Sequence, residues 1–511
     1  MEFLFDDHSI DRKGGVRRVL GSLLKQSEPV LKPRRPWEEQ VSDGPVLYDT
    51  DEKKFKLWYR AKTSADVKPG RDRTVVSSER DRGGFRSFIC YAESADGSSW
   101  MRPLLGLFDF QNSRDNNIIQ EVDRADSVFY NVVKDTIDRD ANRRYKALGF
   151  GHSTTSCLRN SATGNLGVCV GYSPDGLHWA YEPKLVMDTS DLTDADCVLP
   201  QREPTTGKWV AFFRPRVHPK RRFMGYSESD DWDHWSYPRM LLTPDFGDDE
   251  WTEFYGMAIA VIGRWRVGCV WVFHNNPEFS PMTNELVYSR DGLTYHRAMP
   301  GVPFLPLGAP GSFDSRMLSP KSIIPREREV LLYYSGSNGD HGSDRGLPFN
   351  HVSKGRGAPA AVRGGDLLPS HVEEGQPRRR GMGLARLPGR NFCGLRADFD
   401  GMVETKWLCN YGNAGVCAYI DTEKDGWVQG EILDQYGEVI PGWDRASSGT
   451  REGEDGQTQF FWGNEHLTGI SGQESDAGGK VGHVVKLRFH LHRATLYGFQ
   501  IGAEKAMPDF A

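Results

Sequence analysis

Short apolar and aromatic runs alternate with polar turns along most of this chain, and within several runs the side chains change face with a period of two. That period predicts half-buried β-strands rather than helices. The runs come in sets. In the first set 43–49, 55–61 and 88–92 read as strands, and Trp100 opens a fourth. The second set runs through 126–131, 145–150 and 167–172 to Trp179, and the third through 196–199, 208–213 and 223–226. The fourth set holds 255–261, 265–273 and 285–288, and the fifth 314–318, 330–334 and 382–387.

A turn punctuates these sets. Ser94-Ala-Asp-Gly-Ser-Ser-Trp100 recurs as Ser173-Pro-Asp-Gly-Leu-His-Trp179 and Ser289-Arg-Asp-Gly-Leu-Thr-Tyr295, with a looser copy at Ser229-Asp-Asp-Trp-Asp-His-Trp235. The Asp accepts bonds from backbone amides of its own turn, and the Gly takes a positive φ. Repeats of this kind predict an array. Five four-stranded meanders make the expected fold all-β, a five-bladed β-propeller over 1–390. A sandwich fails on repeat length and count, and a parallel β-helix has shorter rungs. Residues 1–36 read as a segment leading into the propeller. Residues 337–380, rich in Gly, Arg, Pro and Ser, read as an insertion that is either a plain surface loop or a lid. From 391 to 511 strands continue without the turn motif, and a C-terminal β-sandwich is expected there.

Composition narrows the partners. A net charge of −6 on 511 residues leaves no basic surplus for phosphates, so nucleic acid is not expected as a partner. No span approaches 18 apolar residues and the N-terminus is acidic, so no membrane segment or signal peptide is read, and a soluble cytoplasmic protein is expected. The eight cysteines form no Cys-x-x-Cys pair and read as buried apolar thiols.

Superposing the sets brings out a second pattern. Asp43, Asp126, Asp196 and Asp314 stand at the starts of the first strands of sets one, two, three and five, and Glu253 at that of set four. First strands line the central channel of a propeller, so acids at their starts converge on one mouth. Converging carboxylates suit glycosidic-bond cleavage, with one acid protonated and another ionised. The plainer reading is that each acid caps a loop. A structural calcium ion at the axis is a further alternative, but no contiguous calcium loop is present, and no cofactor is expected. Arg124, Arg214, Arg216, His274 and the pair Asp340-His341 lie where they would surround the same mouth, and Trp37, Trp251 and Tyr255 could stack on a sugar or fill the core. Lys220-Arg-Arg222 reads as a solvated turn.

The chain resembles the five-bladed propeller glycosidases of the invertase and arabinanase type, glycoside hydrolase families 32 and 43. Arg124-Ala-Asp-Ser-Val-Phe-Tyr130 is similar to their Arg-Asp-Pro-x-Val-Phe motif, which would make Asp126 the transition-state stabiliser. The resemblance places Asp43 at the nucleophile or base and Asp196 near the acid, with Glu253 the alternative acid. Glu431-Ile-Leu-Asp-Gln-Tyr-Gly-Glu-Val-Ile-Pro-Gly442 resembles the appended β-sandwich of invertases. The invertase Trp-x-Asn-Asp-Pro-Asn-Gly signature is absent, and Asp194-Ala-Asp-Cys197 replaces the Glu-Cys motif, so fructose specificity does not carry over. The resemblance implies a glycosidase acting on a furanoside-containing saccharide. Two alternatives stand beside it: a glycoside phosphorylase whose arginines hold phosphate, and a carbohydrate-binding propeller without catalysis.

Overall fold

The computed structural model describes residues 1–42, 44–64, 86–121, 126–151, 167–187, 195–217, 221–276, 280–340, 379–410, 416–450, 456–460, 462 and 483–501; at 126–130, 195–198 and 216–217, among others, it describes the backbone only. Among these residues the chain is all-β, with one short 3-10 turn at Ala141–Arg143. No helix among them is long and apolar enough to cross a membrane. The chain divides into two compact units, one of 25–324 with 332–385, the other of 1–24, 325–331 and 386–510.

The larger unit is built from the expected meanders. Meander 1 has its first strand in two pieces, Gln40–Ser42 and Val46–Asp49, followed by Lys54–Thr63, Arg86–Ser94 and Ile118–Glu121. Meander 2 runs Asp126–Lys134, Tyr145–Gly151, Gly167–Ser173 and Ala180–Met187. Meander 3 runs Ala195–Arg202, Trp209–Val217, Met224–Ser229 and Arg239–Leu242, with Arg221–Arg222 added beside its second strand. Meander 4 runs Thr252–Ile262, Trp265–His274, Met282–Ser289 and His296–Arg297. Meander 5 has Met317–Pro325, Glu329–Ser337 and Arg380–Pro388, and its fourth strand is Leu24–Lys25 from the other end of the sequence.

Each meander buries one face against the next. Trp58 and Tyr91 pack with Tyr145 and Ala147, Leu148 and Val170 with Trp209 and Phe213, and Phe212 and Tyr226 with Phe254 and Val272. Trp271 donates to the Pro320 carbonyl at 2.6 Å, and Tyr333 donates to the Gly97 carbonyl at 2.8 Å. The last contact joins meander 5 to meander 1, so the five meanders form a closed ring. Radial packing of this kind leaves only short, protected sheet edges.

The Asp-Gly turns take part in this packing. In the first, Asp96 accepts from the amides of Ser98 and Ser99, both at 2.7 Å, and Ser94 Oγ accepts from the Gly97 amide at 2.9 Å. In the second, the Gly176 carbonyl accepts from Trp58 of meander 1 at 2.6 Å. Gly176 has φ +80°, and a Cβ there would lie 2.8 Å from the Trp58 ring. The looser copy keeps the same bonds around Asp231 although Trp232, at φ +74°, stands where the others have Gly.

The smaller unit departs from the expected boundaries. Residues 1–24, read as a lead-in to the propeller, instead supply Glu2–Phe3, Ile10–Gly14 and Arg17–Leu20 to the C-terminal sheet. The reason is pairing across the chain ends: Ile10 sits opposite Thr405 and Glu2 opposite Phe499. Where a β-sandwich is expected, these strands join Cys393–Thr405, Leu408–Asn410, Val416–Leu433, Gly456–Phe460 and His483–Ile501 in one eight-stranded sheet. Its core is Leu395, Val403, Val428, Phe489 and Leu491, with Trp443 and Trp462 packed among them.

Candidate active site

The first strands share a defect at the end where the acids stand. In meander 1 the ladder passes from Ser42 opposite Arg60 to Val46 opposite Leu57, one residue longer on the first strand. In meander 2 Asp126 lies opposite Gly151, and the register shifts between Ser127 and Asn131. In meander 3 Asp196 lies opposite Arg214, and the shift falls between Asp196 and Leu199. In meander 4 Glu253 lies opposite Phe273, and the shift between Phe254 and Gly256 leaves Tyr255 as the extra residue. A bulge bends a strand and re-aims side chains, and such irregularities concentrate beside active sites. Among the described residues, three repeats thus carry an acid beside a register shift, at Asp126, Asp196 and Glu253.

The side chains are described most fully in meanders 3 and 4. Glu253 is buried, with one carboxylate oxygen paired to the Arg222 guanidinium and the other accepting from Asn275 Nδ2 at 3.1 Å. An ion-paired carboxylate is a charged acceptor, so this geometry suits charge stabilisation or base chemistry better than proton donation. Arg214 and Arg222 lie over the Tyr255 ring, at 4.0 and 5.4 Å from its centroid, and Phe273 meets that ring edge-on. Arg214 is fully buried. His274 stands opposite Thr252, with Nε2 3.1 Å from Thr283 Oγ1. Burial pushes its imidazole below the ordinary value, against a smaller opposing pull from Asp249 and Asp248, which favours the neutral ring at pH 7.

Glu253, Arg222, Arg214 and Tyr255 are linked by the ion pair and the two guanidinium–ring contacts, whereas His274, opposite Thr252, lies on the other face of the sheet. Arg222 is the residue that sequence reasoning missed. It had been read as part of a solvated turn, but Arg216 and Arg222 face each other in a continuing hairpin that carries the second guanidinium back to Glu253. The alternation of Arg214, Arg216 and Arg222 across that hairpin is the signal that could have found it.

Two expected substrate-binding residues have other work. Asp314 is buried, accepts from Tyr334 Oη at 3.0 Å and Ser312 Oγ at 2.9 Å, and pairs with Lys25 at 2.7 Å. It fastens the strand that completes meander 5. Trp37 is 7% exposed, donates to Asn117 Oδ1 at 3.1 Å and meets Phe110 edge-on, so it has no open face for a sugar. Arg316 holds Asp340 through two bonds of 2.8 and 2.9 Å. Asp43, Arg124 and His341 lie outside the described residues, and Asp126, Asp196 and Arg216 are described in backbone only. Among the described residues no three His, Cys, Asp or Glu side chains gather as a metal site. A cleft of about 530 Å³ is lined by Glu28, Lys32, Gln40, Phe313 and Arg379, so it borders the first strand of meander 1 and the residue next to Asp314.

No protein-family model matches the chain, and no curated protein matches it. Solved structures do overlap with it. One described as a glycoside hydrolase aligns at TM-score 0.44 and 11% identity, over 72% of this chain and 92% of its own. A β-1,2-mannobiose phosphorylase from Listeria innocua aligns at TM-score 0.42 and 14% identity, over 61% and 93%. A thermostable family-43 glycoside hydrolase aligns at TM-score 0.39 and 12% identity, over 59% and 86%.

Proposed function

We propose that the chain is a carbohydrate-active enzyme that cleaves glycosidic bonds with carboxylates at the propeller mouth. The observation that carries this reading is the acid beside a register shift at the first-strand start of three meanders, Asp126, Asp196 and Glu253. Structural turn-capping needs no bulge at the same place each time. Cleavage needs one carboxyl group to protonate the leaving oxygen and another, ionised, to attack or to activate water. Glu253, charged against Arg222, takes the ionised or stabilising role, and the donor falls among Asp43, Asp126 and Asp196. A furanoside-containing saccharide is the proposed substrate, on the strength of the sequence resemblance.

The runner-up is phosphorolysis, favoured by the Arg214 and Arg222 guanidiniums stacked on Tyr255 beside Glu253. A guanidinium matches phosphate as well as carboxylate. Turnover of aryl furanosides and aryl pyranosides, each with and without inorganic phosphate, tests both. Release of aglycone that needs no phosphate supports hydrolysis, and release only with phosphate supports the alternative. Absence of turnover across the panel, with saccharide binding intact, leaves a binding propeller in place of an enzyme.

A further inference from the structure

The C-terminal sheet carries two exposed aromatic rings, Trp407, held by side-chain contacts, and Tyr436, presented on a hydrogen-bonded turn. Trp407 is 54% exposed and Tyr436 81% exposed. The Lys486 ammonium lies 4.2 Å from the centroid of the Trp407 ring, and Lys486 is itself buried and fixed by Glu404 at 3.0 Å and by Asp11. Trp407 Nε1 donates to the Gln435 carbonyl at 3.2 Å, which ties it to the hairpin that carries Tyr436. That hairpin is rigid: Asp434 accepts from the amides of Tyr436 at 2.8 Å and Glu438 at 3.0 Å, and Gly437 turns it at φ +85°. The indole is thus propped on one side by a cation. It cannot fold away, yet it remains more than half exposed.

The same sheet face continues as a polar floor. Residues two apart on a strand share a face, so Lys486, Arg488 and His490 line up while Leu487 and Phe489 enter the core. Arg488 and His490 both bond Glu431 on the next strand, at 3.2 and 3.0 Å. Their side chains are about one-fifth exposed.

We propose that Trp407 and Tyr436 form a carbohydrate-binding surface on the smaller unit, separate from the mouth acids. A sugar ring has an apolar C–H face and a rim of hydroxyls. Aromatic rings offer contact area at low entropic cost, and the parts of Arg488 and His490 that stay exposed beyond their bonds to Glu404 and Glu431 offer polar groups on the same sheet. Charged groups around the rings, Lys406 and Glu438 among them, oppose insertion into a lipid surface. The ligand class rests on the function proposed above.

Native electrophoresis of the full chain through gels containing arabinan, levan or xylan tests the surface. Wild type and Glu253→Gln are expected to be retarded by at least one of these, and Trp407→Ala and Tyr436→Ala to run as in a plain gel. Trp407→Ala and Tyr436→Ala are expected to melt as wild type does, with aryl-glycoside turnover unchanged. Tyr436, on a hairpin tip, covers the case in which Trp407→Ala loses its fold. Retardation of both aromatic variants like wild type overturns the proposal, as does no retardation of wild type by any of the three. So does Trp407-dependent co-sedimentation with phosphatidylglycerol vesicles without polysaccharide retardation. Trp407-dependent retardation in a chain that turns over no glycoside supports the surface while removing the enzymatic reading.

Discussion

The two ends of the propeller's first strands carry the same residue type for different work. At the far end, Asp49, Asp135 and Glu203 close the turns to the second strands with their own carboxylates. Each also receives cations. Asp49 takes Lys56 at 2.9 Å and Lys134 of the next meander at 2.6 Å, Asp135 takes Lys146 at 2.6 Å, and Glu203 takes Arg266 of the next meander at 2.8 Å. These acids are buried and spent on holding turns and joining neighbours. At the mouth end the acids stand where the ladder breaks its register. An acid in an unbroken strand that caps its own turn is a structural part. An acid beside a repeated bulge stands where the backbone can turn a side chain out of the ladder. Glu253 stands between the two cases, at a bulge yet paired with Arg222, which is why we give it a charged role.

Exchange of acids at the two ends should separate function from stability. Asp126→Asn and Asp43→Asn are expected to lower turnover by about 10²–10⁴-fold, the usual worth of a positioned acid or base, with the melting temperature unchanged. Steady-state kinetics beside calorimetry reads both. Loss of stability in these variants matching that of Asp49→Asn would erase the distinction between the ends.

Asp49→Asn should do the reverse. It removes a buried charged acceptor from Lys56, Lys134 and Tyr145, and because Lys56 keeps Glu52 at 2.5 Å and Lys134 keeps Asp51 at 2.7 Å the expected cost is about 1–3 kcal/mol. Burial alone would raise the Asp49 carboxyl, but bonds from Lys134, Lys56 and Tyr145 outweigh it and hold the group well below its ordinary value. A carboxylate depressed in the folded state contributes stability above its unfolded value of about 3.9, and that contribution drains away as pH falls below about 4. Wild type should therefore lose more stability than Asp49→Asn between pH 5 and pH 3 (values chosen to bracket about 3.9). Urea unfolding across that range checks it, and parallel loss in both proteins would place the acid sensitivity elsewhere.

The meanders were legible because they repeat: alternation marks the strands and the Asp-Gly turns set the register, and with it the first-strand starts at which the register shifts of meanders 2, 3 and 4 fall. The far-end pairs were not legible, since Asp49 meets Lys134 across 85 positions and only closure of the ring brings them together. The same holds for Asp314 with Lys25, and for the pairing of residues 1–24 with the C-terminal strands. Trp37 was misread because sequence does not distinguish a ring that faces a saccharide from one whose N–H satisfies a buried Asn117. The Asp-Gly turns were rightly read as structural, but their carbonyls also receive Trp58 and Tyr333 from neighbouring meanders, which no local pattern announces.

Trp232 extends the comparison to the turns. It is fully buried, packs against Trp209 and Trp235, and holds φ +74°. Trp232→Gly would remove about 3–5 kcal/mol of packing and relieve about 1–2 kcal/mol of backbone strain. A net loss of about 2–3 kcal/mol is expected, with turnover per folded molecule unchanged. A gain in stability would mean that the turn's conformation, rather than its indole, limits the junction of meanders 2 and 3.

The smallest effect should come from the weakest of the far-end pairs. Arg202 reaches Asp135 at only 3.9 Å and is one-third exposed, while Lys146 sits on the same carboxylate at 2.6 Å and is buried. Arg202→Met leaves Asp135 with Lys146 and with the amides of Ile137 and Asp138, so no buried charge is stranded. The guanidinium also lies 5.1 Å from the centroid of the Trp209 ring, and the methionine thioether can keep much of that contact. The expected cost is below about 1 kcal/mol, as for exposed pairs. Lys146→Met should cost about 3 kcal/mol or more, because it strands Asp135. Equal losses in the two variants would show that the junction between meanders 2 and 3 depends on total charge rather than on which cation is buried, and the contrast between spent and available acids would then rest on the register shifts alone.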